Sequence, residues 1–374
     1  MNKSGGKYSM VMVLAVLFAT TLMGNANADA QWEAEWQKTL EAGKKEGKVS
    51  VYVSQLAPAV RRHSPTFAKQ FGIEIEVTTG RGSELGQKLR REKAAGMYLA
   101  DVAIAGGADV LSYKEMGITE PMDSKLILPE VTNPKLWYTQ DHLPWLDQAK
   151  HLFYFLAYPN RDITINTNLV KPEEIQSWQD LLKPNFKGKI VWSDPSVTGS
   201  GFNGFASNIM NKATDENYYR QLVARQDITL SRNLRQMAEW LARGKYAVAV
   251  SIAGGAMAQV IKSGAPVAYV KVKEGTYLSY GGGIVCIPAK VPNPNAAKVF
   301  VNWLLSKDGQ IFSQRGVKYM SARNDIPTED VNPQSRRIPG EIYYAGANSR
   351  DDWMKEHVKY LALAKEIFGP LIGR

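Results

Sequence analysis

The stretch KIVWSDPSVTGSGFNG, residues 189–204, decides how the rest of the chain is read. Ile190, Val191 and Trp192 favour extended backbone, so it opens as a strand. Asp194-Pro195 ends that strand, because proline disfavours helical backbone at the residue before it and fixes its own φ. Thr198, Gly199, Ser200 and Gly201 then offer hydroxyls, backbone N–H groups and no bulky side chains. Phe202, Phe205, Ile209 and Met210 recur at helical spacing and would bury one face of a helix. A strand, a small-residue turn and a helix start together suit an anion. The unpaired N–H donors and the positive end of the dipole point to the same place. The plain alternative is an αβ turn in which a Ser or Thr caps the helix. Both readings stand at this level.

Residues 199–204 also match G-x-G-x-x-G after a strand and before a helix. A dinucleotide unit next needs a strand ending in Asp or Glu about 20 residues on. The chain gives a polar break over 211–217, and Asp227 precedes Ile228 and Leu230 instead of following them. The nucleotide reading lacks its second half.

Working outward, the same alternation recurs on both sides. Trp32, Trp36 and Leu40 predict a helix that stops at Gly47, followed by a strand over 49–53 with Ser54-Gln55 at its carboxyl end. A helix to Phe71, a strand through Ile73, Ile75 and Val77, and a turn at Arg81 into a helix with Leu85 and Leu89 come next. Asp101–Ile104 is a short apolar strand, and Gly106-Gly107 leads from it into a helix. Residues 133–159 form an aromatic-rich connection that ends in a buried strand, and its aromatics read as core and interdomain packing. Downstream, 162–166, 246–251, 267–272 and 282–287 read as strands, and helices are expected near 218–225, 234–243, 294–305, 308–314 and 351–367. Strands alternating with helices predict an α/β fold with parallel pairing, and ligands in such sheets sit beyond the strand carboxyl ends. Ser54, Gln55, Arg81, Gly106 and Gly107 would share that rim.

At 374 residues the chain can hold two domains, and 44% hydrophobic with 22% charged residues fits a globular protein. Lys3 and Lys7 precede an apolar run, and Ala26-Asn27-Ala28 offers a small-x-small site, so residues 1–28 read as a cleavable signal peptide. No cysteine for lipidation and no arginine pair stands there. Loss of Lys3 and Lys7 takes the formal charge from +10 to +8. The remaining Lys and Arg are dispersed, which argues for anionic solutes over nucleic acid. The single cysteine, Cys286, sits in an apolar run, so no internal disulfide is available.

Catalytic patterns are missing. The four histidines are scattered, no G-x-S-x-G or H-E-x-x-H occurs, and nothing assembles a base, a nucleophile and an orienter. What recurs is small-residue turns after strands: Gly106-Gly107, Thr198–Gly201 and Gly254-Gly255. Such turns let backbone donors approach a ligand. This points to binding, with no enzyme activity, metal centre or cofactor expected.

Read in order, VSVYVSQ, FGIEIEVTTGRGSELGQKL, ADVAIAGGADVLSYKEMGITEPM, SWQDLLKPNFKGKIVWSDPSVTGSG, ARGKYAVAVSIAGGA and AKVFVNWLLSKDGQ resemble extracellular solute-binding proteins of ABC importers, in the branch that contains ferric-iron-binding proteins. The resemblance implies a two-lobed type II periplasmic-binding-protein fold with crossing hinge strands. Its parts would be lobe 1 at 29–160 with a return at 277–325, lobe 2 at 161–276, and a C-terminal helical segment at 326–374 packed on lobe 2. It implies a periplasmic, monomeric protein that hands a small solute to an inner-membrane permease. The iron-binding members use a His, a Glu and a Tyr-Tyr pair where this chain has Leu56, Gly106, Gly254 and Gly255. Those residues supply no hard oxygen donor, so free ferric iron is not expected. The anion-holding Ser-Gly turn of that branch does carry over, to Thr198, Gly199, Ser200 and Gly201. The expected ligand is therefore a phosphorylated or carboxylated organic anion. Ser54, Gln55, Arg81, Gly106 and Gly107 would meet it from one lobe, and the 198–201 turn with Ser251, Gly254 and Gly255 from the other. A ferric chelate and a nucleotide-dependent secreted enzyme are the alternatives.

Overall fold

The computed structural model describes residues 31–252 and 254–372; the signal-peptide reading lies outside them. Residues 31–46 are helical, and Gly47 ends that helix with φ 76°. The strands then sort into three sheets.

The first sheet has the order Glu74–Thr79, Lys48–Val53, Val102–Ala105, Ile284–Pro288, Thr119–Glu120, with Phe153–Tyr154 also on Ile284–Pro288. Lys48–Val53 pairs in parallel with both of its neighbours. The return strand is antiparallel, Val285 opposite Ile104 and Cys286 opposite Ala103. The second sheet runs Val267–Tyr269, Ile163–Asn166, Val248–Val250, Ile190–Ser193, Thr229–Ser231. Ile190–Ser193 is parallel to both neighbours, whereas Ile163–Asn166 is antiparallel to both of its own. Parallel pairing throughout was the expectation, and it fails where a strand arrives from the other sheet without a crossover helix, since parallel neighbours need such a connection.

A third sheet links the two. Thr276–Ser279 pairs antiparallel with Tyr158–Pro159 and in parallel with Tyr343–Ala345. Sequence reading saw neither Thr276–Ser279 nor Tyr343–Ala345, because each is a short half-polar run with no apolar alternation of its own. The chain passes from the first sheet to the second through 158–162 and back through 276–284. Asn160 fastens the crossings side by side: its Nδ2 donates to the Tyr277 hydroxyl at 2.6 Å, and its carbonyl accepts from Thr276 Oγ1 at 2.9 Å.

Apolar faces of both sheets are covered by helices. Val49, Val51, Val53, Ile104, Val285 and Phe300 are fully buried in the first unit. In the second, Trp192, Phe205 and Tyr219 receive Phe368 from the C-terminal helix Trp353–Phe368 at ring separations of 5.8–6.0 Å. The segment before that helix also reaches the first unit, where Lys114 pairs with Asp351 at 2.8 Å. In the aromatic connection Trp137 is fully buried, edge-on to Phe153 at 5.0 Å. The Cys286 thiol is fully buried, and burial pushes its pKa up to about 12.

Candidate functional site

A cavity of about 430 Å³ lies between the first and second sheets, with the linking sheet as its floor. Gln55, Gly106, Gly107 and Asp109 form the first wall. Gly199, Ser200, Asn203 and Ile252 form the second. Tyr158, Asn160, Arg161 and Tyr277 line the floor, and Ser335, Asn348 and Ser349 come in from the C-terminal segment.

The second wall carries the turn that opened the sequence reading. Ile190–Ser193 delivers the chain to the cleft, and the helix Ser200–Met210 starts there with Gly199 at its N-cap. No side chain caps this helix, and its first turn holds no acid. The capping alternative is thereby corrected. Thr198 is exposed, and Ser200 Oγ donates to the Ser251 carbonyl at 2.7 Å instead of accepting from its own helix. Gly199 has open space around its Cα, so a side chain there would stand in the cleft. Gly201 does not line the cleft. A Cβ on it would fall 1.9 Å from the Ser193 carbonyl oxygen, so glycine lets the helix start press onto the strand end.

Ser251 is 2% exposed and also outside the lining. It adopts φ 59° and is held by Asp162: its N–H donates to the Asp162 carbonyl at 2.8 Å and its Oγ to Asp162 Oδ1 at 3.0 Å. Asn160 and Asn208 turn their Nδ2 atoms to the same carboxylate, each at 3.4 Å. Burial nevertheless dominates and pushes the Asp162 carboxyl up to about 7. Gly254 and Gly255 begin the helix Gly254–Lys262, two residues beyond Ile252.

The first wall has the same plan with different contents. Gly106 caps the helix Gly107–Glu115 without a side-chain bond, but Asp109 sits in its first turn. A Cβ on Gly107 would lie 2.2 Å from the Asn348 carbonyl oxygen, so this start is covered by the C-terminal segment. The Asp109 carboxylate is tucked against Gly82, where a Cβ would meet Oδ2 at 1.9 Å. Tyr113 donates its hydroxyl to the Gly82 carbonyl and fixes that approach. Burial raises the Asp109 pKa above its ordinary value. Arg81 lies outside the lining: its side chain is 86% exposed and reaches only Glu84, at 3.9 Å. Ser54 turns its hydroxyl toward the Ile104 carbonyl, 3.4 Å away, and is likewise outside.

Thus the cavity collects Gln55, Gly106, Gly107, Gly199 and Ser200 from the sequence-derived set, and leaves Ser54, Arg81, Thr198, Gly201 and Ser251 beside it. Sequence reading missed Asp109, although it stands two residues after Gly107, in the first turn of the helix that glycine begins. It also missed the floor. Arg161 there is spoken for, with its guanidinium donating to both Glu341 oxygens at 3.2 and 2.9 Å. Tyr158 and Tyr319 stack at 4.1 Å, and the Tyr269 hydroxyl has no partner among the described residues. Leu56 is a core residue at 1% exposure. Among the described residues no group of three or more His, Cys, Asp or Glu could hold a metal.

Two α/β units joined by crossing strands, with a polar cleft over the joint, define a two-lobed, type II periplasmic binding protein. The chain belongs to the bacterial extracellular solute-binding protein family, whose profile matches residues 65–335. It is 28% identical over 285 residues to the spermidine/putrescine-binding periplasmic protein 1 of Haemophilus influenzae, covering 74% of this chain and 73% of that protein. The iron- and citrate-bound FutA of Trichodesmium superposes with a TM-score of 0.66 at 19% identity, covering 86% of this chain and 99% of the other. AfuA of Actinobacillus pleuropneumoniae, with fructose-6-phosphate bound, gives 0.59 at 21% identity over 85% and 99%. These likenesses show the fold. Solute-binding proteins of this family serve ABC importers, working with a membrane permease and a small-molecule ligand. No helix among the described residues is long and apolar enough to cross a membrane.

Proposed function

We propose that this protein, exported and cleaved near Ala28, captures a small organic anion as a periplasmic monomer and delivers it to an inner-membrane permease. The anionic end rests on the start of the helix Ser200–Met210. One observation carries this reading: that helix opens into the cavity with neither a side-chain cap nor an acid in its first turn. Its N–H donors and dipole are therefore unspent. Lobe 1 (29–160 and 277–325) and lobe 2 (161–276) close on the solute about the linking sheet.

Gly199→Asp tests the site. The position is roomy, and its φ of 162° is ordinary extended backbone, so the new side chain is accommodated. Aspartate there caps the helix and claims the donors meant for the ligand. Stability should hold or rise, while affinity for the co-purifying solute, identified by mass spectrometry and measured by calorimetry, falls by about tenfold or more. Unchanged affinity would remove the turn from the site.

A ferric chelate is the second reading. Tyrosine hydroxyls in the cleft, with Tyr269 unpartnered, offer hard oxygen atoms. Burial holds the Tyr269 proton on, which disfavours a direct phenolate bond and leaves the chelator to satisfy the metal. A visible charge-transfer band on adding ferric citrate would favour this reading.

A further inference from the structure

The two cleft walls differ in sign. On the second wall the helix Ser200–Met210 presents a positive end with no acid in its first turn. On the first wall the only charged side chain in the lining is Asp109. This carboxylate makes no hydrogen bond or ion pair with any described residue. The one cation in the lining, Arg161, is committed to Glu341, with side chains only 8% and 5% exposed. An acid in the first turn does offset its own helix dipole. The Asp109 carboxylate also lies under Gly82, the first residue of the helix Gly82–Ala94, whose missing side chain makes the room. Half-buried and facing the cleft without a protein cation, this carboxylate is open to a cation from the ligand, which a charge-assisted hydrogen bond would hold.

We infer that the solute is a zwitterion, with its anionic end on the helix start at Ser200 and a protonated amine held by Asp109. This rests on the anion reading for one end and adds the other. Asp109 would then be the residue that separates an amino-bearing anion from the same anion without its amine.

The test is a thermal-shift and calorimetric panel on the mature protein. Each zwitterion is paired with its amine-free analogue: phosphoethanolamine with ethyl phosphate, aminoalkylphosphonates with alkylphosphonates, and amino acids with the corresponding acids. Putrescine stands as the amine without an anion. At least one zwitterion should bind about tenfold or more tightly than its partner. Asp109→Asn should erase that ratio by weakening the zwitterion, while the amine-free anion, freed of a like charge, binds no more weakly; Asp109→Ser should repeat the result if the amide disturbs packing. A panel in which no zwitterion outbinds its analogue overturns the inference. If amine-free anions bind well in that case, the anion reading survives alone. Putrescine binding with no anion bound would instead remove the helix start from the site and also overturn the zwitterion.

Discussion

Gly107 and Gly201 look alike in sequence, each a glycine at a helix start just beyond a strand, yet the two starts are built oppositely. Gly107 lines the cleft, but the Asn348 backbone covers it and Asp109 answers its helix dipole. Gly201 is turned away onto Ser193, and Gly199 faces open space at the head of a first turn that holds no acid. The same residue type thus serves close packing in two places and leaves the cleft open in a third. What separates them is what stands opposite the Cα, and local sequence does not carry that.

The sharpest way to break this comparison is to fill the glycines. Gly201→Ala places a methyl group against a backbone oxygen that cannot rotate away. We expect a stability loss on the order of 1–3 kcal/mol or more, read as a lower urea midpoint, whereas Gly199→Ala leaves the midpoint nearly unchanged. Equal midpoints for the two would mean that Gly201 is not pressed on Ser193.

A smaller effect, on the second wall alone, comes from Asp162. Its folded pKa of about 7 stands above its ordinary 3.8. The folded chain therefore binds this proton more tightly than the unfolded one, and the carboxyl's contribution is fully present below about pH 4. It is lost as pH rises toward and through 7, and is flat above that. Asp162→Asn should flatten the unfolding midpoint between pH 4 and 8 relative to the parent, whose profile should slope downward across that window. A parallel pair of profiles would mean that Asp162 stays ionised when folded.

The smallest effect sharpens the edge of the first wall. Arg81→Ala should leave solute affinity within about twofold, since an exposed cation paired weakly with Glu84 contributes little. A large loss in calorimetry would bring Arg81 into the cleft on closure.

Much of the fold was legible because burial leaves a pattern. The run Ile190–Trp192, the turn at Pro195 and the apolar face of 294–305 each announce their element. The linking sheet was legible only at Tyr158–Pro159, the buried strand that ends the aromatic connection. Thr276–Ser279 and Tyr343–Ala345 acquire strand character by pairing with each other, and that pairing is invisible along the chain. For the site, the strand-end rule found Gln55, Gly106, Gly107, Gly199 and Ser200. It also admitted Ser54 and Arg81, because it locates a rim and says nothing of which way a side chain turns. Asp109 had a local signal in its place just after Gly106-Gly107, whereas Asn348 and the tyrosine floor reach the cavity through tertiary packing that no local signal marks.

The linking sheet also bears on the order of events. Its central strand waits for partners from both directions: Pro159 lies far upstream of Leu278, and Tyr343 well downstream of Thr276. Closing such long loops is entropically expensive, and contacts of this span form slowly. The first unit's parallel strands, joined by short crossovers, can assemble early, as can the strands around Ile190. The joint cannot be complete until the segment around Tyr343 has paired with Thr276–Ser279. The halves are no quicker to close, since the first sheet needs its return strand Ile284–Pro288 and the second core needs Phe368. Units and joint are therefore finished together by long-range contacts.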